Sequence, residues 1–201
     1  MKIETELKFP VDALGPVLDK LNLINGDHTP WYFEKNIVLD DEKGSLRNRN
    51  FLLRLRTGSC NKLTLKLPVH AGNVSGHAKN MQEYETELDN IKDMESIFRH
   101  LGFHTWLRYE KFRQVWNLNE IKVCLDILPF GRFVEIEGPE DKIFEIALKL
   151  GLDPSTSTAK TYHQLNRELA GKNAPQTDDF VFDGEMKKNI EMELTGWGEL
   201  S

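Results

Sequence analysis

The stretch Lys2-Ile3-Glu4-Thr5-Glu6-Leu7-Lys8-Phe9 alternates without a break, with Glu4, Glu6 and Lys8 on one side and Ile3, Thr5, Leu7 and Phe9 on the other. Side chains two apart share a face in an extended chain, so the stretch reads as a β-strand over about 2–9. Seven further segments alternate in the same way, at about 31–40, 50–57, 62–68, 81–89, 107–116, 121–128 and 131–138. Their charges are sorted. Arg54 and Arg56 oppose Leu53 and Leu55, and Thr64 and Lys66 oppose Leu63, Leu65 and Leu67. Glu83, Glu85 and Glu87 oppose Tyr84, Thr86 and Leu88, Lys111 and Arg113 lie together, and Glu135 and Glu137 oppose Val134 and Ile136. A solvated face would mix Ser, Thr, Asn and Lys, whereas here most strands carry one sign, usually as a doublet.

Eight strands suffice to close a barrel. With the charged faces inward, the apolar faces point outward and need covering. Helical periodicity at about 11–22, 92–101, 140–150 and 159–169 supplies the cover. The expected fold is therefore α+β: an eight-stranded antiparallel β-barrel, a tunnel with a charged lumen, wrapped by helices. Pro16 makes the first helix begin late or kink. Gly102 and Gly151 sit just past two helices, as left-handed caps do. Residues 1–169 read as one domain. Residues 170–201 read as an acidic extension: a linker at 172–177, then a docked helix around 184–194.

The 201 residues carry 26 basic and 32 acidic side chains, a formal net charge of −6. Residues 170–201 hold seven acids and three bases, so the body is nearly neutral. This balance excludes a nucleic-acid-coating protein but not a binder of small polyanions. No apolar run is long enough to span a membrane, and the acidic N-terminal alternation is unlike a secretory signal. Two cysteines, Cys60 and Cys124, point away from a disulfide framework and toward the cytoplasm.

Six lumen cations are expected: Lys8, Arg54, Arg56, Lys66, Lys111 and Arg113. Six carboxylates accompany them: Glu4, Glu6, Glu83, Glu85, Glu135 and Glu137. Arg and Lys suit phosphate oxygens, while clustered carboxylates suit hard divalent cations such as Mg²⁺ or Mn²⁺. Together they describe a site for a chain of phosphates, and phosphoryl transfer needs mainly positioning and charge neutralisation. Neither a Walker loop nor a Gly-rich phosphate cradle is present in the sequence.

Glu4-Thr5-Glu6-Leu7-Lys8 resembles the ExExK signature of the CYTH domain, or triphosphate tunnel metalloenzyme, family. Further segments match in family order: Leu53-Arg54-Leu55-Arg56, Leu63-Thr64-Leu65-Lys66, Glu83-Tyr84-Glu85, Lys111-Phe112-Arg113 and Phe133-Val134-Glu135-Ile136-Glu137-Gly138. Lys160-Thr161-Tyr162-His163-Gln164-Leu165 resembles the late Lys-x-Tyr-x-x-Leu helix, so the likeness spans about 2–169. The family includes class IV adenylate cyclases, thiamine triphosphatases and inorganic triphosphatases. The resemblance implies Mg²⁺- or Mn²⁺-dependent chemistry on a small-molecule triphosphate, in a monomer or homodimer. It assigns Glu4, Glu6, Glu135 and Glu137 to the metal. Glu83 and Glu85 go to a second metal or the attacking water, the six cations to phosphates, and Lys160 to one mouth. Met81 departs from the pattern, because the family often has Arg there.

Asp126 shares a face with Cys124 and reads equally as a lumen carboxylate or a structural group near a turn. The six histidines lack metal-ligand spacing. Trp31, Trp106, Trp116 and Trp197 read as core or capping residues, and a Trp at a tunnel mouth could stack on a base or thiazole ring. Residues 68–80 form a long connection that is either a lid or a plain loop. The leading expectation is a metal-dependent triphosphatase. Alternatives are an adenylate cyclase of the fourth class and a non-catalytic polyphosphate- or nucleotide-binding module.

Overall fold

The computed structural model describes residues 2–69, 79–170, 178–198 and 200, without the side chains of 2–4, 79, 80 and 170. Nine strands form one antiparallel sheet: β1 (Lys2–Val11), β2 (Asp27–His28), β3 (Tyr32–Asp41), β4 (Leu52–Thr57), β5 (Lys62–Pro68), β6 (Lys79–Glu87), β7 (Phe103–Leu118), β8 (Ile121–Leu128) and β9 (Gly131–Glu137). The order is β2-β7-β3-β4-β5-β6-β1-β9-β8, and β8 pairs back onto β7. Eight strands thus close a ring, and β2 extends the rim beside β3. The long β7 makes closure possible: residues 103–113 pair with β3 on one edge, and 112–118 pair with β8 on the other.

The expected strands are all present. Three short elements escaped the periodicity, β2, a one-turn helix α2 (Ser45–Asn48) and a 3-10 turn at Pro154–Thr156, because none is long enough to show a period. The other helices are α1 (Gly15–Ile24), α3 (Ile91–His100), α4 (Glu140–Lys149), α5 (Tyr162–Ala170) and α6 (Gly184–Thr195). The first begins late, with Pro16 in its opening turn, where a missing N–H costs nothing. Asn90 caps α3 by accepting from the amides of Lys92 and Asp93, both at 3.1 Å. Gly102 (φ +88°) and Gly151 (φ +73°) adopt the left-handed conformation expected of them.

The outward faces of the strands form two apolar cores. Leu7 and Phe9 of β1, Phe112 and Trp116 of β7, Val123 and Leu125 of β8, and Val134 and Ile136 of β9 pack under Leu14 at the N-cap of α1, Leu18 and Leu21 of α1, and Ile143 and Ala147 of α4. On the opposite flank, Leu39, Leu53 and Leu55 pack under Ile91, Met94 and Phe98 of α3. Trp31 and Trp116 are fully enclosed, Trp197 tilts against Trp31, and Trp106 lies at one end of the tunnel. Among the described residues, no helix is long and apolar enough to cross a membrane.

The expected C-terminal helix is present as α6, and it docks on the main core. Leu194 is wholly buried there, with Ile190 and Trp197 against it, and Arg132 donates to Glu193 at 2.7 Å. The linker and most of the 68–80 connection fall outside the described residues. Leu194→Ala is expected to lower unfolding free energy by about 2–5 kcal/mol in urea melts. Met192→Ala, on the exposed side of the same helix, should change it by less than about 0.5 kcal/mol.

Candidate active site

The inward faces enclose one cavity of about 920 Å³. All six predicted cations line it: Lys8, Arg54, Arg56, Lys66, Lys111 and Arg113. Of the predicted carboxylates, Glu6, Glu83, Glu85, Glu135 and Glu137 do so. Glu4 lies on β1, opposite Met81 of β6 in the register, and its side chain is outside the described residues. Lys160 does not line this cavity. It stands at the surface, with its Nζ 2.8 Å from Glu168 of α5, and the neighbouring Tyr162 points into the tunnel instead.

Lys8 meets Glu6 along β1, but most cations and carboxylates meet across strands. Register makes this inevitable: Lys8 faces Glu135 across β1 and β9, Lys66 faces Glu83 across β5 and β6, and Arg113 faces Asp126 across β7 and β8. Lys8 Nζ donates to Glu6 at 2.7 Å and lies 3.0 Å from Glu135. Arg56 and Lys62 both donate to Glu85, Lys66 stands 3.7 Å from Glu83, and Lys122 pairs with Glu137.

Asp126 is the buried hub. Its carboxylate accepts from Arg113 Nε at 2.6 Å and NH2 at 2.5 Å, and from the Tyr162 hydroxyl at 2.6 Å, with Lys111 3.4 Å away. Arg113 NH2 also donates to Glu135 at 2.9 Å. Asp126 has no solvent exposure and is not among the residues lining the cavity; it stands behind Arg113 and Lys111, which are. A single acid among Val123, Cys124, Leu125 and Ile127 gave no doublet to single it out.

Glu34 and Asn36 are the residues that the charge pattern missed. Both are buried on the inward face of β3, and Asn36 donates to Glu34 at 2.9 Å. Glu34 Oε1 lies 3.5 Å from Lys111, while Oε2 lies 3.9 Å from Arg56 and accepts no hydrogen bond among the described residues. The sequence hides them because β3 mixes aromatic, acidic and basic residues in Tyr32-Phe33-Glu34-Lys35.

At Glu34, Glu135, Lys8 and Arg113 burial disfavours the charge, and neighbouring opposite charges overcome it. Burial pushes the Glu34 carboxyl up, but Lys111, Arg113, Arg56 and Arg54 hold it down at about 2. Glu135 is likewise buried, yet Lys8 and Arg113 keep it well below the usual carboxylate range. Lys8 and Arg113 are raised above their ordinary values against the same burial, by Glu135 with Glu6 and by Asp126 respectively. The Cys124 thiol, pushed up by burial, stays protonated.

A divalent ion fits this donor set. Ligand atoms of Cys124, Glu135 and Glu137 lie within 4.8 Å of one another, and Glu6 pairs with Glu137 in the β1–β9 register. Carboxylate oxygens suit Mg²⁺ or Mn²⁺, whereas a protonated thiol is a poor ligand for either.

The CYTH domain profile matches residues 2–162, about four fifths of the sequence. The chain belongs to the CYTH domain family. A Methanocaldococcus jannaschii protein bearing the name "putative adenylate cyclase" is 24% identical over 175 residues, covering 81% of this chain and 98% of its own. A Vibrio parahaemolyticus structure of the same description superposes with a TM-score of 0.71 at 17% identity, over 82% of this chain and 97% of that one. A Hippeastrum structure, described as a "putative adenylyl cyclase" with a dominant triphosphatase activity, has a TM-score of 0.54 at 19% identity, over 76% and 89% of the two chains. The CYTH match ends at Tyr162, so α6 and the segment before it lie outside it.

Asp126→Asn, which leaves Arg113 buried beside a neutral amide, is expected to cost about 3–5 kcal/mol in denaturant unfolding. Glu34 gives a pH signature. Its folded pKa lies below the unfolded value, so its stabilisation is complete above about pH 4.5 and is lost as pH falls toward 2. Wild type should therefore lose more stability over that interval than Glu34→Gln, as read by urea melts at stepped pH.

Proposed function

We propose that this CYTH protein is a metal-dependent hydrolase of triphosphates, with the phosphate chain held in the barrel lumen. The supporting observation is that the six expected cations, with Arg47, Lys62 and Lys122 beside them, line one cavity together with six described carboxylates, Glu34 among them. In that state each of these carboxylates has a cation within ion-pairing distance. With metal and polyanion bound, these carboxylates would serve the metal and these cations the phosphate oxygens. The lumen then stays electrically balanced without refilling with water.

Glu6, Glu135 and Glu137, with Glu4 from the same strand, would hold Mg²⁺ or Mn²⁺. Bound there, the ion supplies Lewis-acid neutralisation of phosphate charge. Arg54, Arg56, Lys66, Lys111 and Arg113 grip the nonbridging oxygens, and Lys8 stands between Glu6 and Glu135, where metal and phosphate meet. Glu83 and Glu85 orient a water toward the terminal phosphorus. Glu85 is suited to orienting and not to deep proton abstraction, since Lys62 and Arg56 overcome its burial and hold it below the usual range. The water oxygen bonds to phosphorus as the bridging P–O bond breaks. Orthophosphate and the shortened chain leave, and the water's proton passes to solvent.

A second reading is the cyclase, in which a ribose hydroxyl attacks the α-phosphate. Trp106, Tyr109 and Phe51 line one end of the cavity and offer a base aromatic surface, which favours a nucleotide. Incubation with tripolyphosphate, ATP and thiamine triphosphate plus Mg²⁺ or Mn²⁺ separates the two. Orthophosphate release, abolished by chelator and restored by metal, is the expected outcome. Cyclic AMP with pyrophosphate as the main products would replace hydrolysis by cyclisation. Glu6→Gln should reduce kcat at least 100-fold in a variant that still folds, because Lys8 keeps Glu135 as a partner, and wild-type turnover would remove Glu6 from the metal site.

A further inference from the structure

Residues 178–182 lie beyond the CYTH match, yet they complete the tunnel wall. The segment runs parallel to β7: Phe180 N donates to Arg108 O and Glu110 N donates to Phe180 O, both at 3.1 Å. Side chains pin it at each end. Asp178 accepts from Arg167 Nε at 2.9 Å and NH2 at 2.5 Å, and Asp179 Oδ1 accepts from Arg108 N at 2.7 Å. Glu110 Oε2 accepts from Phe182 N at 3.1 Å.

This docking sets Phe180 into the end of the cavity. The ring is 4% exposed, stacks on Tyr109 at 5.0 Å with planes 23° apart, and meets Phe130 edge-on at 5.3 Å. Beneath it, the Tyr109 hydroxyl accepts from Arg54 NH1 at 2.8 Å. Arg54 differs from the other lumen cations. Among the described residues it has no carboxylate within ion-pairing distance, and its buried Nε makes no hydrogen bond. The phenol is therefore what fixes its guanidinium, and the Phe180 stack is what fixes the phenol.

We propose that residues 178–182 are a positioning strap for phosphate binding. Phe180 holds Tyr109, and through its hydroxyl Arg54, in the place where that cation meets a phosphate oxygen. The inference rests on the triphosphate reading of the lumen. It makes strap docking and ligand binding favour each other by the same factor, since binding free energies are reciprocal. Phe180 is a positioning residue and touches neither metal nor phosphate.

The test is a double-mutant cycle read by calorimetric binding of diimidotriphosphate, a non-hydrolysable triphosphate, with Mg²⁺ present. Phe180→Ala and Tyr109→Phe should each weaken binding about tenfold, the loss expected for one hydrogen bond to a charged group. The double variant should be no weaker than Tyr109→Phe within twofold. Additive losses, or an unchanged affinity in Phe180→Ala, overturn the strap. If Phe180→Ala does not fold, Asp179→Ala releases the segment from outside the cavity and takes its place in the cycle. In wild type, saturating diimidotriphosphate should slow amide exchange at Phe180 and Glu110, and unaltered exchange also counts against the strap. Failure of wild type to bind the analogue removes the triphosphate reading and the strap with it. Binding without coupling removes the strap alone.

Discussion

Charges of both signs are buried inside a closed sheet, and the rest of the molecule follows from that. Taking a carboxylate or a guanidinium out of water costs several kcal/mol per ion, and only close opposite charges with good hydrogen-bond geometry offset it. Antiparallel register delivers that geometry, setting Lys8 against Glu135, Lys66 against Glu83 and Arg113 against Asp126. Once the polar faces point inward, the apolar faces of the same strands point out. Helices α1, α3, α4 and α6 are then required, and their apolar sides are what the outer cores need. An ordinary barrel keeps its core inside, whereas this one carries it as a coat.

The same pairings tie the walls of the lumen to one another. Asp126 ties β7, β8 and α5 together through Arg113 and Tyr162, and Glu135 joins that network to Lys8 on β1. Removing one member leaves its partner charged and dry, so the network acts as a unit. On the proposed reading, the same partners are released in pairs when metal and phosphate enter together. Preorganisation of this kind suits phosphoryl transfer, where the protein's work is largely electrostatic.

Much of the site was legible because period-two alternation places same-sign doublets on one face. Arg54/Arg56, Glu83/Glu85, Lys111/Arg113 and Glu135/Glu137 are readable from spacing alone, and all of them line the cavity. Residues that act singly were not. Glu34 sits between Phe33 and Lys35, and Asp126 lies within an apolar run, so neither repeats a sign at i+2. Lys160 was assigned by motif alone: its side chain meets Glu168 on the adjoining helix, and Thr161 to Gln164 beside it line the cavity. Strand parity assigns faces within strands, and it has no authority at the start of a helix.

The sequence by itself determined the eight strands, which face of each is charged, and that helices must cover the other. These are local properties, fixed by the alternation of side chains along an extended backbone. Only the tertiary structure decided which charge meets which. Ion pairing depends on register between strands far apart in the chain, as in Arg113 with Asp126 or Arg56 with Glu85. It also decided the fate of the C-terminal segment. Its pattern showed a docked helix around 184–194 within an acidic stretch, and nothing in it marked Phe180. Its placement puts Phe180 over Tyr109 at the end of the tunnel, because a buried aromatic stack and the edge of β7 were both there to receive it.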